Sequence, residues 1–289
     1  MALRSLYFFA RPRKIFVVTS PLNIPFLREQ LKCDLPVVFL DEGKLIKGVD
    51  LPSIRQYLAG RIRDCERAGW YFQQFLKMGM CFQDQVMDHY LVWDSDTIML
   101  RPFSFFDPEG RPLVNTTRRF QKSYFQLTQE LLGFSRSVDF SFISEHMVVK
   151  KAFMRQLIEE IDQKDKDRLW PFIILDHISD KNLFGTGFSE FETYGNFVHL
   201  NFAGSYGIRT LPSSRSGAKR TGPIPGRKDL FRMSGKYAYV SFEVWTRQIK
   251  WKRFTWKLGT FFYYGLFSLL GWFSGDTSLR LKAFGELSL

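Results

Sequence analysis

Apolar runs that end in polar residues alternate with amphipathic segments along most of the chain. Three such runs are rich in β-branched and aromatic side chains, which favours buried strands. They lie at residues 14–20, 35–43 and 90–94. The helical segments around them lie at residues 23–31, 51–69 and 70–83. Strands that alternate with helices indicate an α/β fold, with a mixed but mostly parallel sheet flanked by helices, whose ligand lies beyond the carboxyl ends of the strands.

The alternation continues in the middle of the chain. Residues 138–151 predict another strand, and residues 152–163 predict an amphipathic helix. Residues 176–198 are acidic and aromatic, and their pattern changes from loop to helix. Within them Ser189 is followed by Glu192, a spacing typical of the capping box at the start of a helix.

The composition changes after residue 205. Gly, Ser, Pro, Lys and Arg dominate the next stretch, which predicts a basic loop over residues 206–236. Residues 237–289 interleave Trp with Lys and Arg beside an uncharged stretch, which predicts an amphipathic segment in contact with a membrane surface. That stretch, residues 258–275, has four glycines and is borderline in length for a spanning helix. A helix that spans the membrane and a helix packed inside the protein therefore remain alternatives for this stretch.

The predicted organisation has four parts. They are an N-terminal arm over residues 1–11, solvated or touching a membrane, an α/β domain over residues 12–205, the basic loop and the amphipathic C-terminal segment.

Charge and cysteine content narrow the function classes. The formal net charge is +12, and residues 206–257 alone hold 13 Lys or Arg against Asp229 and Glu243. Such a balance favours an anionic partner, which is a nucleic acid, an anionic membrane or a phosphorylated substrate. The three cysteines have no CxxC spacing, which argues against a disulfide framework or a zinc site and fits a reducing cytosol. The first residues contain no apolar region long enough for a signal peptide.

Two carboxylates follow the third apolar run in the stretch "HYLVWDSDTIMLRPF". Asp94 and Asp96 are two residues apart, so an extended chain places both side chains on the same side. Two acids so close repel each other unless a positive charge lies between them. A hard divalent cation such as Mg²⁺ binds one or two carboxylates together with water and substrate phosphates, so the pair predicts a metal site.

Three stretches in this order, "GWYFQQFLKM", "YLVWDSDTIMLRPF" and "GFSEFETYGNFV", resemble a bacterial family of GT-A-fold glycosyltransferases from polysaccharide and lipopolysaccharide loci. The resemblance spans roughly residues 12–205. It implies a GT-A-like (Rossmann-like) domain that transfers a sugar from a nucleotide-diphospho-sugar, with Mn²⁺ or Mg²⁺ at the acid pair. The expected acceptor is a membrane-associated glycan or glycolipid. We accordingly expect a peripheral protein at the cytoplasmic face of the membrane, with an anionic lipid surface and no nucleic acid as partner.

The resemblance also implies roles at the metal and the donor. Asp94 and Asp96 would bind the metal, and Asp94 could instead face the ribose of the donor. Thr19 and Ser20, at the end of the first strand, would lie near the nucleotide. The remaining candidates in this group are Gln73, Gln74 and Lys77, which fall on one side of a helix and would contact the donor or form an exposed polar face. His199 would complete the metal shell from a strand, or have a structural role.

Further residues are candidates for the sugar and for proton transfer. The resemblance implies that Glu145 and His146 contact the donor sugar or the acceptor, although a histidine in a strand is often structural. If the reaction inverts the anomeric centre, a carboxylate must deprotonate the acceptor hydroxyl. Glu190 is the first candidate for that base, and Glu192 is either the capping residue or the base in its place.

Two other classes of function fit parts of the sequence. A phosphohydrolase of the haloacid-dehalogenase type also ends an apolar strand with D-x-D and would use Asp94 as its nucleophile. Against it, that motif normally begins its domain, and no later pair of acids is obvious here. A non-enzymatic membrane- or nucleic-acid-binding protein would use the basic C-terminal third, where Trp could stack on bases, but no nucleic-acid-binding motif is recognisable.

Overall fold

The alternating pattern gives rise to helices and short strands in a computed structural model that describes residues 1–31, 35–63, 65–118 and 120–243. The strands are β1 Ile15–Thr19, β2 Val37–Asp41, β3 His89–Trp93, β4 Thr97–Met99, β5 Leu113–Asn115, β6 His146–Lys150, β7 Gly207–Arg209, β8 Ser213–Ser214 and β9 Tyr239–Ser241. The helices are α1 Ala2–Ala10, α2 Ile24–Leu31, α3 Glu42–Leu45, α4 Leu51–Ala59, α5 Ala68–Gly79, α6 Lys122–Leu132, α7 Lys151–Asp162, α8 Trp170–Asp176, α9 Asp180–Leu183, α10 Glu190–Asn201, α11 Gly217–Thr221 and α12 Arg227–Ser234. Short 3₁₀ turns cover Pro21–Asn23 and Met80–Phe82.

The strands of the described residues pair in small sheets, and the protein is mixed α/β, as predicted. β1 pairs with β2 in parallel, and β5 pairs with β7 in parallel. β3 pairs with β6 in the antiparallel sense, with Trp93 opposite His146. β9 lies between β4, which is antiparallel to it, and β8, which is parallel. Among the described residues the strands form separate small sheets rather than the single mixed, mostly parallel sheet that was expected, and β3, which leads to the acid pair, is antiparallel to its partner.

The predicted strand over residues 138–151 is shorter in the structure. Only its end forms β6, and a side chain from helix α10 binds the residues before it. The carboxylate of Glu192 accepts hydrogen bonds from the hydroxyl of Ser141 and from the N–H of Phe142. These contacts hold the segment without a continuous strand ladder. The helix predicted over residues 51–69 is also shorter in the structure. It ends as α4 at Ala59, and the next helix, α5, begins at Ala68.

The N-terminal arm is a helix that packs against β4. Leu6 of α1 is buried, and the hydroxyl of Ser5 accepts a hydrogen bond from the N–H of Met99 at 3.1 Å. The apolar side of this amphipathic helix therefore packs against the rest of the protein. On the other side Tyr7 and Phe8 are exposed.

The fold also continues beyond residue 205. The stretch predicted as a basic loop contains β7, β8, α11 and α12, and the compact unit extends to Phe242. Residues 239 and 240, predicted to contact a membrane, are fully buried in β9 instead. Packing is the physical reason, because the side chain of Val240 lies in a hydrophobic cluster with Ile98 and the ring of Tyr239 packs against His146. The predictions for residues 244–289, including the stretch 258–275, lie outside the described residues.

Two hydrophobic clusters flank the acid pair. The larger cluster packs α5, α7, α8 and α10 together and includes Val92 of β3. The smaller cluster includes Ile98 of β4, Met233 of α12, and Val240 of β9. The acids lie in the connection between Val92 and Ile98, so both clusters anchor the chain on either side of them. Among the described helices, none is long and apolar enough to cross a membrane.

Candidate functional site

A tight turn between β3 and β4, residues 94–97, carries the two predicted acids and is called the acid turn here. The N–H of Thr97 donates to the carbonyl of Asp94 at 3.0 Å and closes the turn. The N–H of Asp94 donates to the carbonyl of Glu145 at 3.0 Å, just before β6. The N–H of Phe242 donates to the carbonyl of Asp96 at 2.9 Å, just after β9. Backbone hydrogen bonds from two sheets therefore hold the acids in place.

The positive charge beside Asp94 is the ammonium group of Lys77. Its Nζ lies 2.9 Å from Oδ1 of Asp94 and 2.8 Å from Oε1 of Glu190. The side chain of Lys77 is 20% exposed and that of Glu190 is 8% exposed, so water screens this pair only weakly. Burial by itself lowers the pKa of Lys77, but the charges and hydrogen bonds of Glu190 and Asp94 raise it above its usual value. Lys77 thus joins three elements, α5, the acid turn and α10.

The two glutamines beside Lys77 point in different directions. Gln74 is buried, and its Oε1 accepts a hydrogen bond from the N–H of Glu190 at 3.2 Å. Gln74 and Lys77 are one helical turn apart, so they face the start of α10 together. Gln73 is exposed and takes no part in this contact. The predicted set is therefore divided, with Gln74 and Lys77 at the cluster and Gln73 on the surface of α5.

The start of α10 presents the two glutamates predicted as catalytic. The hydroxyl of Ser189 accepts a hydrogen bond from the N–H of Glu192 at 3.3 Å, so Ser189 is the N-cap, as predicted. The side chain of Glu192 does not complete the capping box. It is 1% exposed and binds Ser141, Phe142 and Asn196, and burial raises its pKa. Glu192 is therefore placed as a structural acid, whereas Glu190 faces the acid turn.

Asp96 has little compensation for its charge. Its carboxylate accepts a hydrogen bond from the hydroxyl of Thr97, which lies 3.3 Å from Oδ1. Burial and then the charge of Asp94 raise the pKa of Asp96, and the charge of Arg215 opposes this effect. Within the acid turn, Lys77 therefore balances the charge of Asp94, whereas the charge of Asp96 is only weakly compensated.

Glu145 forms a second ion pair next to the acid turn. Its Oε1 lies 2.6 Å from Nε of Arg215, and its side chain is 7% exposed while that of Arg215 is 45% exposed. The hydroxyl of Tyr239 lies near Glu145 and accepts a hydrogen bond from Nδ2 of Asn115 at 2.7 Å. Burial raises the pKa of Tyr239, so its hydroxyl keeps its proton. Glu145 is therefore held between a half-exposed guanidinium and a buried phenol.

His146 lies in an aromatic cluster. Its ring stacks on Trp93 with centroids 5.1 Å apart and meets the edge of Tyr239 at 4.9 Å. Nη2 of Arg209 lies 3.2 Å from its Nε2. Burial and the charge of Arg209 lower the pKa of His146 to about 3, so the ring is neutral at pH 7 and accepts the hydrogen bond through Nε2. These contacts favour the structural role for His146.

The first strand ends in hydroxyls that serve their own turn. Oγ1 of Thr19 accepts a hydrogen bond from Nδ2 of Asn23 at 3.1 Å. Oγ of Ser20 caps the following 3₁₀ turn through the N–H of Leu22 at 3.4 Å. Both hydroxyls are half-buried at the end of β1, and these partners lie only a few residues further along the chain.

His199 is not on a strand, so that prediction is wrong. It lies in the last turn of α10, and its Nδ1 is 2.8 Å from the hydroxyl of Tyr206. It is nine positions after Glu190 in the helix, which corresponds to about 13 Å along the axis. Across the described residues, no group of three or more His, Cys, Asp or Glu side chains could hold a metal ion. His199 therefore does not share a metal site with Asp94 and Asp96 in the described part of the chain.

Arg209 and Arg215 were missed in the sequence because both lie in the stretch predicted as a basic loop. Arg209 contacts the rings of Phe103 and Phe105, with its Cζ 4.9 and 5.6 Å from their centroids. Burial lowers its pKa to about 10. The excess of positive charge after residue 205 was the available signal, but it did not show which of these cations turn toward the site.

The fold and the site define a mixed α/β protein in which an acid turn, a lysine bridge and an arginine–glutamate pair lie side by side. The model of a family of unknown function, DUF6492, matches residues 1–206, and the chain belongs to this family. A comparison with curated proteins gives no significant match. The family match ends before Arg209, Arg215 and β9, although all three contribute to the site.

Proposed function

We propose that this protein is a metal-dependent glycosyltransferase with a GT-A-like domain. It moves a sugar from a nucleotide-diphospho-sugar to a membrane-associated glycan or glycolipid, such as a lipopolysaccharide core, a capsule or another lipid-linked glycan. The observation that carries the proposal is the acid turn, where Asp94 and Asp96 meet cations from two other parts of the chain. Lys77 lies at Asp94, and the charge of Arg215 acts on Asp96.

The acid turn fits a hard divalent cation in its chemistry. Both side chains offer oxygen only, the carboxylate of Asp94 is 31% exposed, and Asp96 is crowded by its neighbour's charge. Mg²⁺ and Mn²⁺ suit carboxylate, water and phosphate oxygens, so two protein ligands leave positions for substrate. Asp94 and Asp96 would hold the ion, which neutralises the charge of a diphosphate leaving group when it is bound.

The chain's own cations support diphosphate binding at the same place. Arg215 is half-exposed and lies beside the acid turn, and a guanidinium can bind two phosphate oxygens at once. Lys77 is fixed between Asp94 and Glu190 and keeps these two carboxylates in one orientation. Positioned charges of this kind stabilise charge that develops during transfer.

Glu190 is the proposed general base for an inverting reaction. Its carboxylate lies at the first turn of α10, faces Lys77 and is linked through it to the acid turn. In this role it takes the proton from the acceptor hydroxyl as the bond to the sugar forms. Glu192, which is fully buried and bound by three donors, supports the helix that presents Glu190.

The proposed location is the cytoplasmic face of the membrane, where a nucleotide-sugar and a lipid-linked acceptor meet. The net charge of +12 supports attraction to an anionic leaflet. The predicted C-terminal contact with the membrane lies outside the described residues and stays a prediction.

A screen of nucleotide-sugars for Mn²⁺-dependent thermal stabilisation tests the proposal. A donor at 100 times its dissociation constant should raise the free energy of unfolding by about 2.7 kcal/mol. We expect Asp96→Asn to abolish both the stabilisation and release of nucleotide from the donor. Ser95→Ala, an exposed change in the same turn, should leave both unchanged. An Asp96→Asn enzyme that still turns over donor would refute the metal assignment.

The same samples distinguish the other two classes of function. Release of inorganic phosphate from an aryl phosphate, lost in Asp94→Asn, would instead indicate a phosphohydrolase with Asp94 as nucleophile. Binding of oligonucleotide without any turnover would indicate the non-enzymatic class.

A further inference from the structure

Helix α12 has one buried face and one outward face that combines positive charge with an exposed aromatic ring. Met233 is buried and Leu230 packs against the smaller cluster, so these two side chains define the inner face. Residues four apart in a helix lie one above the other. Arg227 therefore lies in line with Phe231, and Lys228 lies in line with Arg232, on the opposite side from Met233.

The ring on this outward face is strongly exposed. Phe231 is 72% exposed, and Ile224, in the loop that leads into α12, is 48% exposed. Exposed apolar side chains are common when they are single, but Phe231 lies on the helix surface next to Arg227, Lys228 and Arg232, and Ile224 precedes Arg227 by three residues in the chain. We call Ile224, Arg227, Lys228, Phe231 and Arg232 the α12 face.

The positive charge of this region is not balanced by nearby acids. Residues 217–236 contain six Lys or Arg and one acid, Asp229. The carboxylate of Asp229 accepts a hydrogen bond from the N–H of Gly226 and so serves the start of the helix. No salt bridge joins any of the six cations to a carboxylate within the described part of the chain. Two of them, Arg220 and Lys236, lie over the ring of Tyr237 and extend the positive surface next to α12.

From this geometry we propose that the α12 face docks on the surface of an anionic lipid bilayer. Cations attract anionic headgroups, and an aromatic side chain between them enters the boundary of headgroups and acyl chains. A nucleic acid would satisfy the charges but would leave Ile224 in water, since only an aromatic ring stacks on bases. The partner is therefore a lipid surface, and the contact lies in the described domain rather than in the C-terminal segment alone.

This proposal deepens the membrane location given above but does not rest on glycosyl transfer. Lipid binding needs neither donor nor metal, so it can be measured when turnover fails. The sequence beyond residue 243 is also basic and aromatic, so the test compares point variants within the full chain.

The experiment is sedimentation of the full chain with vesicles of phosphatidylcholine, alone or mixed with phosphatidylglycerol. We expect binding to the mixed vesicles, which falls as salt is added. Lys228→Glu with Arg232→Glu should lower the partition coefficient by about tenfold or more, since each cation near the surface contributes. Phe231→Ser should lower it by about fivefold at constant charge.

Matched controls come from other surfaces of the chain. Lys164→Glu with Lys166→Glu makes the same change of charge at exposed residues after α7, and Leu22→Ser removes a side chain that is 89% exposed. Both controls should bind like the wild type, and every variant should keep its midpoint of urea unfolding. Asp96→Asn should also bind vesicles normally. Wild-type binding in both α12 variants, equal losses in the controls, or binding of oligonucleotide but not of vesicles would overturn the proposal.

Discussion

Glu190 and Asp94 come from distant parts of the chain and share one ammonium group. Lys77 is separated from Glu190 by 113 residues, yet the two atoms of the ion pair are 2.8 Å apart. At the residue scale the site therefore depends on a cation whose partners are not neighbours in sequence. Removing that cation leaves two carboxylates without their main charge partner.

Lys77→Met should lower the free energy of unfolding by about 2 kcal/mol, a value reduced from that of a fully buried pair because Asp94 is partly exposed. Urea unfolding measures this loss. The double variant Lys77→Met with Glu190→Gln should recover part of it, because one of the unpaired charges is then absent. Losses that simply add in the double variant would show that the ion pair is not coupled.

Glu192 predicts a dependence of stability on pH. Burial raises its pKa in the folded protein above the unfolded value of about 4.3, so the folded state holds this proton more tightly. The contribution of Glu192 to stability is therefore largest below the unfolded pKa and declines as the pH rises through the folded pKa. Glu192→Gln has no such titration, and its amide can donate to the hydroxyl of Ser141 while its oxygen accepts from Phe142.

The measurement is urea unfolding of the wild type and Glu192→Gln from below the unfolded pKa to neutral pH. The free energy of the variant minus that of the wild type should rise across this interval. A difference that stays constant with pH would contradict a raised pKa for Glu192.

At the scale of elements, α10 presents Glu190 because it packs tightly against the segment before β6. Gly195 lies on the inner side of α10, and a Cβ atom at this position would overlap the ring of Phe142. The N–H of Phe142 also donates a hydrogen bond to the carboxylate of Glu192. One face of α10 therefore holds that segment both by close packing and by hydrogen bonds. Glycine is needed here for the close approach.

Gly195→Ala should therefore lower the free energy of unfolding by about 2 kcal/mol, since a buried ring must move. Gly69→Ala in α5 is the matched control. A Cβ at Gly69 meets nothing within 4 Å, so alanine should stabilise the helix there by about 0.5–1 kcal/mol. Thermal or urea unfolding of both variants gives the comparison, and effects of the same sign would argue against the packing explanation.

At the scale of the whole molecule, the family match and the compact unit end at different places. The match ends at residue 206, whereas the unit described here ends at Phe242. Between these points lie β9, which pairs with β4, and the residues of the smaller hydrophobic cluster. The acid turn is bonded to both halves, through Glu145 and through Phe242.

A chain cut after residue 206 should therefore fail to unfold cooperatively, because β4 loses its partner strand and Ile98 loses its packing. A chain cut after residue 243 should keep a single cooperative transition. Circular dichroism during urea titration measures both. Cooperative unfolding of the shorter chain with an unchanged midpoint would show that residues 207–243 are not part of the folding unit.

Local elements were predictable wherever the local pattern was strong. β1 and β2 lie within their predicted runs, β3 is shifted by one residue from its run, and α7 follows the apolar spacing of its sequence. Pairing was not predictable, because hydrogen bonds between strands depend on chain segments far apart. The antiparallel β3–β6 pair and the insertion of β9 beside β4 follow from such contacts. The basic stretch after residue 205 was predicted as a loop because its glycines and prolines concealed short strands.

Some features of the candidate site could likewise be predicted from the sequence, and others could not. The presence of two acids after a strand, and of Ser189 as a cap, could be read from spacing along the chain. The exposure of Gln73, the burial of Glu192 and the position of His199 on a helix depend on which face each element buries.

By itself, the sequence determined the local elements that have a strong pattern, the total charge and the place of the acid pair at the end of a strand, since these depend on neighbouring residues. Only the tertiary structure decided that Lys77 bridges Asp94 and Glu190 and that Arg215 lies beside Glu145. Electrostatic interactions act over a few ångströms of space regardless of separation along the chain, so the charge partners of the acids become defined only when the chain has folded.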